Sequence, residues 1–254
     1  MQKTISKSHK VFKIPSYRAL RLLFWHRNQY RSPFIRRIRY YFIRLGLKRL
    51  YDHGGAGYVF EFYELFNKKR IEELQAKEMY EILDTIRTYL PSTPNTTLDV
   101  GAGLGGIDLT LYHHFDSKPT LYLLDKEGVS PDRHGGYHVS AKDFPHYHSF
   151  KATRGFLEAN GVPKDKIKTI DIETSSFPTE KFDLVISLLS WGFHFSVDTY
   201  IEDVYKQLNK GGRLIIDLRK GTDGAEVLEK IFNTATTVLH TGRDFIRVGI
   251  EKTA

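Results

Sequence analysis

Short apolar runs and longer stretches of helical spacing alternate along this chain from Thr96 onward. Thr96 to Val100, Thr120 to Leu124, Lys168 to Ile172, Phe182 to Leu189 and Gly211 to Asp217 are dominated by Leu, Ile, Val and Thr. Runs of that length and composition predict strands covered on both faces. Helical spacing fills the intervals: Gly106 to Tyr112, Tyr147 to Asn160 with Gly161 ending it, Asp198 to Asn209, and Ala225 to Ala235. A longer helical stretch, Val59 to Leu90, precedes the first strand and is stopped by Pro91 and Pro94. Strands and helices in alternation build a parallel sheet wrapped by helices. The chain closes differently, because Thr236 to Thr241 and Phe245 to Glu251 flank Gly242-Arg243-Asp244 and predict a hairpin.

The other elements are placed by Leu98-Asp99-Val100-Gly101-Ala102-Gly103-Leu104-Gly105-Gly106-Ile107-Asp108, a strand that runs into a glycine-rich turn and then a helix. Gly101, Gly103 and Gly105 leave the turn without Cβ atoms, so it can bend sharply and let a flat or charged ligand lie against its N–H groups. The helix that follows aims its positive end at the same place. A nucleotide-like ligand suits such a turn. The spacing is G-x-G-x-G after an acidic residue, yet Gly106 also satisfies the G-x-G-x-x-G of dinucleotide enzymes, so the turn alone does not choose between nucleotides. About twenty residues on, the second apolar run ends in Asp125, where a strand-end carboxylate would meet two ribose hydroxyls.

The combination L-D-V-G-A-G-L-G, L-L-D, F-D-L-V-I-S and L-N-K-G-G-R-L-I-I-D, with the terminal hairpin, resembles the class I S-adenosylmethionine-dependent methyltransferases from Tyr58 to Glu251. The resemblance implies an α/β fold: a doubly wound, seven-stranded sheet, mostly parallel, whose last strand is antiparallel and separates it from dinucleotide folds. It implies S-adenosyl-L-methionine as cofactor. In that family Asp99 organises the turn and the amino-acid end of the donor, Gly101, Gly103 and Gly105 form the donor loop, and Asp125 takes the ribose hydroxyls. Asp171 matches the position that holds the adenine amino group, with Glu173 a small register step away, and Ser187 joins the donor site at the end of the fourth strand. A plain strand-end cap is the alternative for Asp125.

Loops at the carboxyl ends of strands surround the ligand in a doubly wound sheet, so Ser187 to Phe195 should meet donor and acceptor. His194 is the candidate general base. Methyl transfer from a sulfonium is an in-line displacement that relies on positioning and needs a base chiefly when the acceptor is a hydroxyl. Imidazole titrates near neutrality, which suits that task; the alternative is a histidine hydrogen-bonded within its loop. Trp191 and Phe193 could flank donor or acceptor. Arg219, with Lys220, could pair with an acceptor phosphate or carboxylate, or be a solvated loop charge. The family often carries a lid before its first strand, which makes Tyr58 and Tyr63 candidates for closing the site, whereas Leu65 and Phe66 read as ordinary packing. The absence of [DNS]-P-P-[YFW] argues against amino-methylation of adenine and glutamine, and the absence of cysteine excludes the covalent route to cytosine C5.

Charge changes the picture of the N-terminal part. Met1 to Leu50 carry fourteen Lys and Arg and no Asp or Glu, which concentrates the +8 of this 254-residue chain there and leaves the remainder, with 24 basic and 30 acidic side chains, at −6. Tyr17 to Arg27 reads as one helix. After Ser32-Pro33 a second would place Ile35, Ile38, Phe42 and Leu45 on one face and Arg36, Arg37, Tyr40, Arg44 and Lys48 on the other. The chain thus divides into a basic, aromatic-rich helical arm, residues 1–53, and a methyltransferase-like domain, residues 54–254, joined at Gly54-Gly55-Ala56-Gly57. Three roles fit the arm: lying in the headgroup layer of an anionic membrane, gripping a nucleic-acid backbone, or capping the domain with its arginines solvated.

No cysteine is present, so the fold rests on no disulfide or thiolate metal site. His134, His138, His146 and His148 lie close in sequence, but their spacing fits no closed zinc site and no metal is expected; Ser130 to Tyr137 reads instead as a Gly-rich loop near the site. There is no membrane-spanning apolar run and no signal-like apolar centre at the start. The expectation is a cytoplasmic protein, peripheral at the inner face of the membrane if the arm rests on lipid. The leading functional expectation is O-methylation of a small-molecule, sugar or glycan-type acceptor, since W-G-F-H-F-S-V-D-T-Y with L-N-K-G-G and D-L-R-K-G is similar to bacterial methyltransferases of surface-glycan assembly. The alternatives are an RNA or other nucleic-acid methyltransferase and a non-catalytic donor-binding interaction subunit.

Overall fold

The computed structural model describes residues 10–26, 32–52, 62–129 and 147–253. Its centre is a sheet of seven strands: β1 (Thr96–Val100), β2 (Thr120–Asp125), β3 (Ile167–Asp171), β4 (Phe182–Ser187), β5 (Leu208–Arg219), β6 (Thr237–Thr241) and β7 (Phe245–Glu251). They lie in the order β3-β2-β1-β4-β5-β7-β6. Pairs among β1 to β5 are parallel, and β7 is antiparallel to both β5 and β6. The chain moves outward from β1 to β3 and then returns to β4 on the opposite side, which puts the topological switch point between β1 and β4.

Alternation along the central strands explains the two covered faces. Leu184, Ile186 and Ile215 point to one side, where they meet α4 (Lys68–Ile86) and α5 (Gly106–His114) through Leu83, Ile86, Ile107 and Leu111. Val185, Leu214 and Ile216 point to the other, against α7 (Ile201–Gln207) and α8 (Gly224–Phe232). α5 has no polar face: even Asp108 and Thr110 are buried, as expected of a helix held between a sheet and another helix. α6 (Phe150–Ala159) covers the β2–β3 side and starts at Ser149, whose hydroxyl accepts a hydrogen bond from the Ala152 N–H.

Several element boundaries differ from the sequence expectation. The stretch expected as one helix up to Leu90 contains a 3-10 turn, Tyr63–Asn67, before α4, and another, Arg87–Tyr89, after it. Phe66, expected to pack, is 81% exposed, because the turn rotates it off the face that buries Ile71 and Leu83. Tyr147–His148 pairs with Gly128–Val129 as a short antiparallel ladder instead of opening α6. The chain after β4 is extended from Ser190 to Phe195, running beside β5.

Part of the N-terminal region belongs to the body. Phe12, Ile14, Leu20 and Leu22 are buried in the same cluster as Phe156 and Leu157. The Lys13 N–H donates to Asn160 Oδ1, and Asn160 Nδ2 donates to the Lys13 carbonyl, both at 2.8 Å. For α1 (Tyr17–His26) the packing role therefore describes what is observed. α2 (Pro33–Arg44) and α3 (Lys48–Asp52) are different, and the face expected to unite Ile35 with Leu45 is split: Ile35 is 1% exposed and Leu45 70%. The two lie about 80° apart on a helical wheel, and only the side carrying Ile35 meets the body. The glycine joint and the boundary at residues 53 and 54 lie outside the described residues. Among the described residues no helix is long and apolar enough to cross a membrane.

Candidate functional site

At the carboxyl ends of β1, β2 and β4 the structure encloses a cavity of ≈ 530 Å³, within the usual range for small-ligand sites. Its floor is the glycine turn. Gly101 and Gly103 adopt φ of 86° and 54°, conformations that side-chain-bearing residues avoid. Gly101 also lies against the next loop, so that a Cβ there would come within 1.9 Å of Ser190 Oγ. The turn is held from three sides: the Gly101 N–H donates to the Leu124 carbonyl at 2.8 Å, and the Gly103 N–H donates to Asp125 Oδ2 at 2.9 Å. The Gly103 carbonyl accepts from Thr153 Oγ1 at 2.7 Å and from His148 Nε2 at 2.8 Å. His148 is therefore a turn-holding residue whose buried ring fixes the backbone. His134, His138 and His146 lie outside the described residues.

Two buried carboxyls stand beneath the turn. Asp99 is 3% exposed and Asp108, in the first turn of α5, is 1% exposed. Burial, then the nearness of Asp108 and Asp125, holds the Asp99 carboxyl well above the ordinary range. Burial raises Asp108 to about 7. Asp99 Oδ1 is buried at the cavity and accepts no hydrogen bond from the protein. A cationic group beside the pair would favour its ionised form.

The opposite wall comes from the segment after β4. His194 lines the cavity, and its imidazole is pushed down to about 4, first by burial and second by the cation of Arg219. Tyr200 stands near Asp125, its hydroxyl pushed up to about 12 by burial and then by the charges of Asp125 and Asp203. Phe193, Phe195 and Phe245 complete an aromatic wall, the last carried by the tip of the β6–β7 hairpin. Of the charges nearby, Lys126 pairs with Glu173 at 3.2 Å, whereas Arg243, 3.9 Å from Asp244, is 94% exposed and solvated.

No family model matches the sequence, and no curated protein matches it. Among solved structures the chain is similar to a methyltransferase from Pyrococcus furiosus, at 13% identity over 69% of this chain and 83% of that one, with a TM-score of 0.48. It is similar to the 16S rRNA N2 G1207 methyltransferase of T. Thermophilus in complex with AdoMet and guanosine, at 15% identity over 68% of this chain and 42% of that one, TM-score 0.48. It is also similar to a SAM-dependent O-methyltransferase from Thermotoga maritima, at 14% identity over 70% of this chain and 65% of that one, TM-score 0.47. The chain thus spans less than two thirds of the second and third of these. What decides the architecture is internal to the chain: the order β3-β2-β1-β4-β5-β7-β6, with β7 reversed against its neighbours. It is a doubly wound, Rossmann-like α/β sheet closed by an antiparallel hairpin.

Within that fold, Asp99, Gly101, Gly103, Asp125 and His194 all line the one cavity. The remaining sequence candidates stand elsewhere. Gly105, at φ 78°, turns the chain into α5 behind the lining. Asp171 Oδ1 accepts from the Glu173 N–H at 3.1 Å, so its carboxylate caps its own turn and Ile172 faces the cavity in its place. Ser187 is fully buried and its hydroxyl donates to the Val100 carbonyl at 2.8 Å, tying β4 to β1. Trp191, expected to flank a ligand, is instead a core residue: it is 0% exposed, with its indole N–H donating to the Val197 carbonyl at 2.9 Å. Arg219 Nε donates to the Phe193 carbonyl at 2.7 Å and the guanidinium lies 4.5 Å from the Phe193 ring centre, so it braces the wall from behind the cavity lining. Tyr58 and the Tyr63 side chain lie outside the described residues.

Sequence reasoning missed Asp108, Tyr200, Phe245 and, from α4, Gln75 and Met79. Gln75 carried a readable signal, a polar residue in the buried stripe of Ile71, Ala76 and Leu83. The others reach the site through tertiary packing.

Proposed function

We propose that this protein is an S-adenosyl-L-methionine-dependent methyltransferase acting on a hydroxyl of a small-molecule, sugar or glycan-type acceptor. The observation that carries the reading is the Asp125 carboxylate gripping the Gly103 N–H at the rim of the cavity. Its Oδ1 accepts from the Lys126 N–H at 2.8 Å, and each carboxylate oxygen can accept a further hydrogen bond. The residues present fit the donor: turn glycines without Cβ atoms allow close backbone approach, Asp125 would take the ribose hydroxyls, and the unsatisfied Asp99 Oδ1 suits the cationic amino-acid end.

When bound, the donor supplies an electrophilic methyl group on a sulfonium. The chain's own contribution is to hold an acceptor oxygen in line with it and to exclude water, which Phe193, Phe195, Tyr200 and Phe245 do by walling the cavity. His194 is neutral at physiological pH and therefore in the form that takes the hydroxyl proton. Its low basicity makes orientation of that hydroxyl the larger part of its role. The aromatic wall, with Lys126 paired to Glu173, supports a small acceptor over a polyanion.

The test is incubation of the protein with methyl-labelled donor and fractionated cell extract. Label entering a base-stable ether in the small-molecule or glycan fraction is expected. Label confined to RNA would replace this reading with the nucleic-acid one, and donor binding without turnover on any fraction would favour an interaction subunit.

A further inference from the structure

Of the eleven exposed large apolar side chains among the described residues, seven lie between Phe34 and Leu50. Steps of about 100° per residue put Phe34, Ile38, Tyr41 and Leu45 on one stripe of α2, with Arg37 and Arg44 beside it. Phe34 is 66% exposed and Leu45 70%. Gly46, at φ 74°, turns the chain through exposed Leu47 into α3, which adds exposed Lys48 and Leu50. From residue 10 to Tyr51 the sequence contains no carboxylate side chain.

This surface sits on a fixed mount. Ser32 caps α2 through the Ile35 N–H, and its own N–H donates at 2.6 Å to Glu64, a carboxylate that is 0% exposed. Ile35 and Tyr51 are buried, and the Tyr51 ring packs edge-on to Phe42 at 5.4 Å. The fold thus anchors one edge of the helix pair and holds the apolar stripe in water, an arrangement that marks an interaction surface.

The chemistry of the stripe selects the occupant. A nucleic-acid backbone would engage the arginines but leave Leu45, Leu47 and Leu50 in water, because aliphatic side chains offer bases no stacking surface. The boundary between headgroups and acyl chains accepts both classes at once, aliphatic and aromatic side chains inward and cations against lipid phosphates. We propose that α2 and α3 dock the protein on an anionic bilayer surface, with Phe34, Leu45 and Leu47 in the headgroup–acyl boundary and Arg37, Arg44 and Lys48 against the phosphates.

The experiment is sedimentation of the full chain with vesicles of phosphatidylcholine, with and without phosphatidylglycerol, at low and high salt. Binding only to the phosphatidylglycerol vesicles, weakened by salt, is expected. Arg37→Gln with Arg44→Gln should weaken partitioning roughly thirtyfold, and Phe34→Ser with Leu45→Ser should abolish it. Unchanged circular dichroism and donor calorimetry in both variants show that they fold, and these positions lie away from the cavity. Equal partitioning onto both vesicle types, no partitioning, or retention by the Phe34 and Leu45 variant would overturn the proposal. So would a vesicle-independent dimer, detected by analytical ultracentrifugation, that the same variant dissolves, or salt-sensitive RNA binding that outcompetes the vesicles.

Discussion

Asp125 and Gly103, twenty-two residues apart in sequence, meet through a 2.9 Å hydrogen bond that ties the end of β2 to the glycine turn after β1. One carboxylate thereby shapes the turn and faces the cavity. Asp125→Ala should weaken donor affinity by about 10- to 100-fold, the equivalent of losing a charge-assisted hydrogen-bond pair. Asp125→Asn, whose carbonyl oxygen can still accept from Gly103, should lose affinity while keeping the turn. Calorimetry with S-adenosylmethionine or its demethylated product measures both, and undiminished affinity in Asp125→Ala would remove the donor-site assignment.

The buried pair Asp99 and Asp108 makes stability depend on pH in a direction opposite to that of most carboxylates. Both groups are held above their ordinary values, so the folded state binds protons that the unfolded state has released. The contribution is present below the ordinary aspartate value and is lost as pH rises toward the folded value, about 7 for Asp108. Denaturant midpoints should therefore fall over that window in the wild type and fall less in Asp108→Asn. Saturating donor should flatten the slope as well, because a cation beside Asp99 favours the ionised pair.

His194 separates binding from chemistry. His194→Ala should lower kcat about a hundredfold, the usual worth of a positioned proton acceptor, while leaving the calorimetric donor affinity near that of the wild type. Because the folded imidazole is pushed down to about 4, the limb of the kcat profile that it controls should lie near that pH and not near the ordinary histidine value. Full turnover in the alanine variant would reassign the residue to the wall.

Arg247 on β7 and Asp217 on β5 form a buried, two-pronged ion pair, with contacts of 2.8 and 2.9 Å, in direct cross-strand register. Arg247 Nη1 also donates to Thr85 Oγ1 on α4 at 2.8 Å. Arg247→Met strands a buried carboxylate and should cost about 3–5 kcal/mol. Pairing it with Asp217→Leu should recover most of that loss. Chemical denaturation with the single and double variants measures the difference.

Strand identity, the glycine turn, Asp125 at a strand end and the closing hairpin were legible in the sequence because each depends on residues adjacent along the chain: apolar runs, Cβ-free positions, turn formers. The positions of Trp191, Ser187, Asp171 and Arg219 also follow from the sequence, but their orientation does not. Leu189, in the left-handed region at φ 53°, redirects the chain after β4, and that turn places the Trp191 ring in the core and the His194 ring at the cavity. No periodicity encodes such a choice.

The order of elements, and the loops that gather at the carboxyl edge of the sheet, follow from the chain read as a string, since local propensity and hydrophobic period decide those. Folding in three dimensions was needed to bury Asp108 beside Asp99, to bring Phe245 and Gln75 to the cavity, and to divide the arm into a packed part and an exposed basic one. Those outcomes arise from packing between segments distant along the chain, where burial sets charge and exposure.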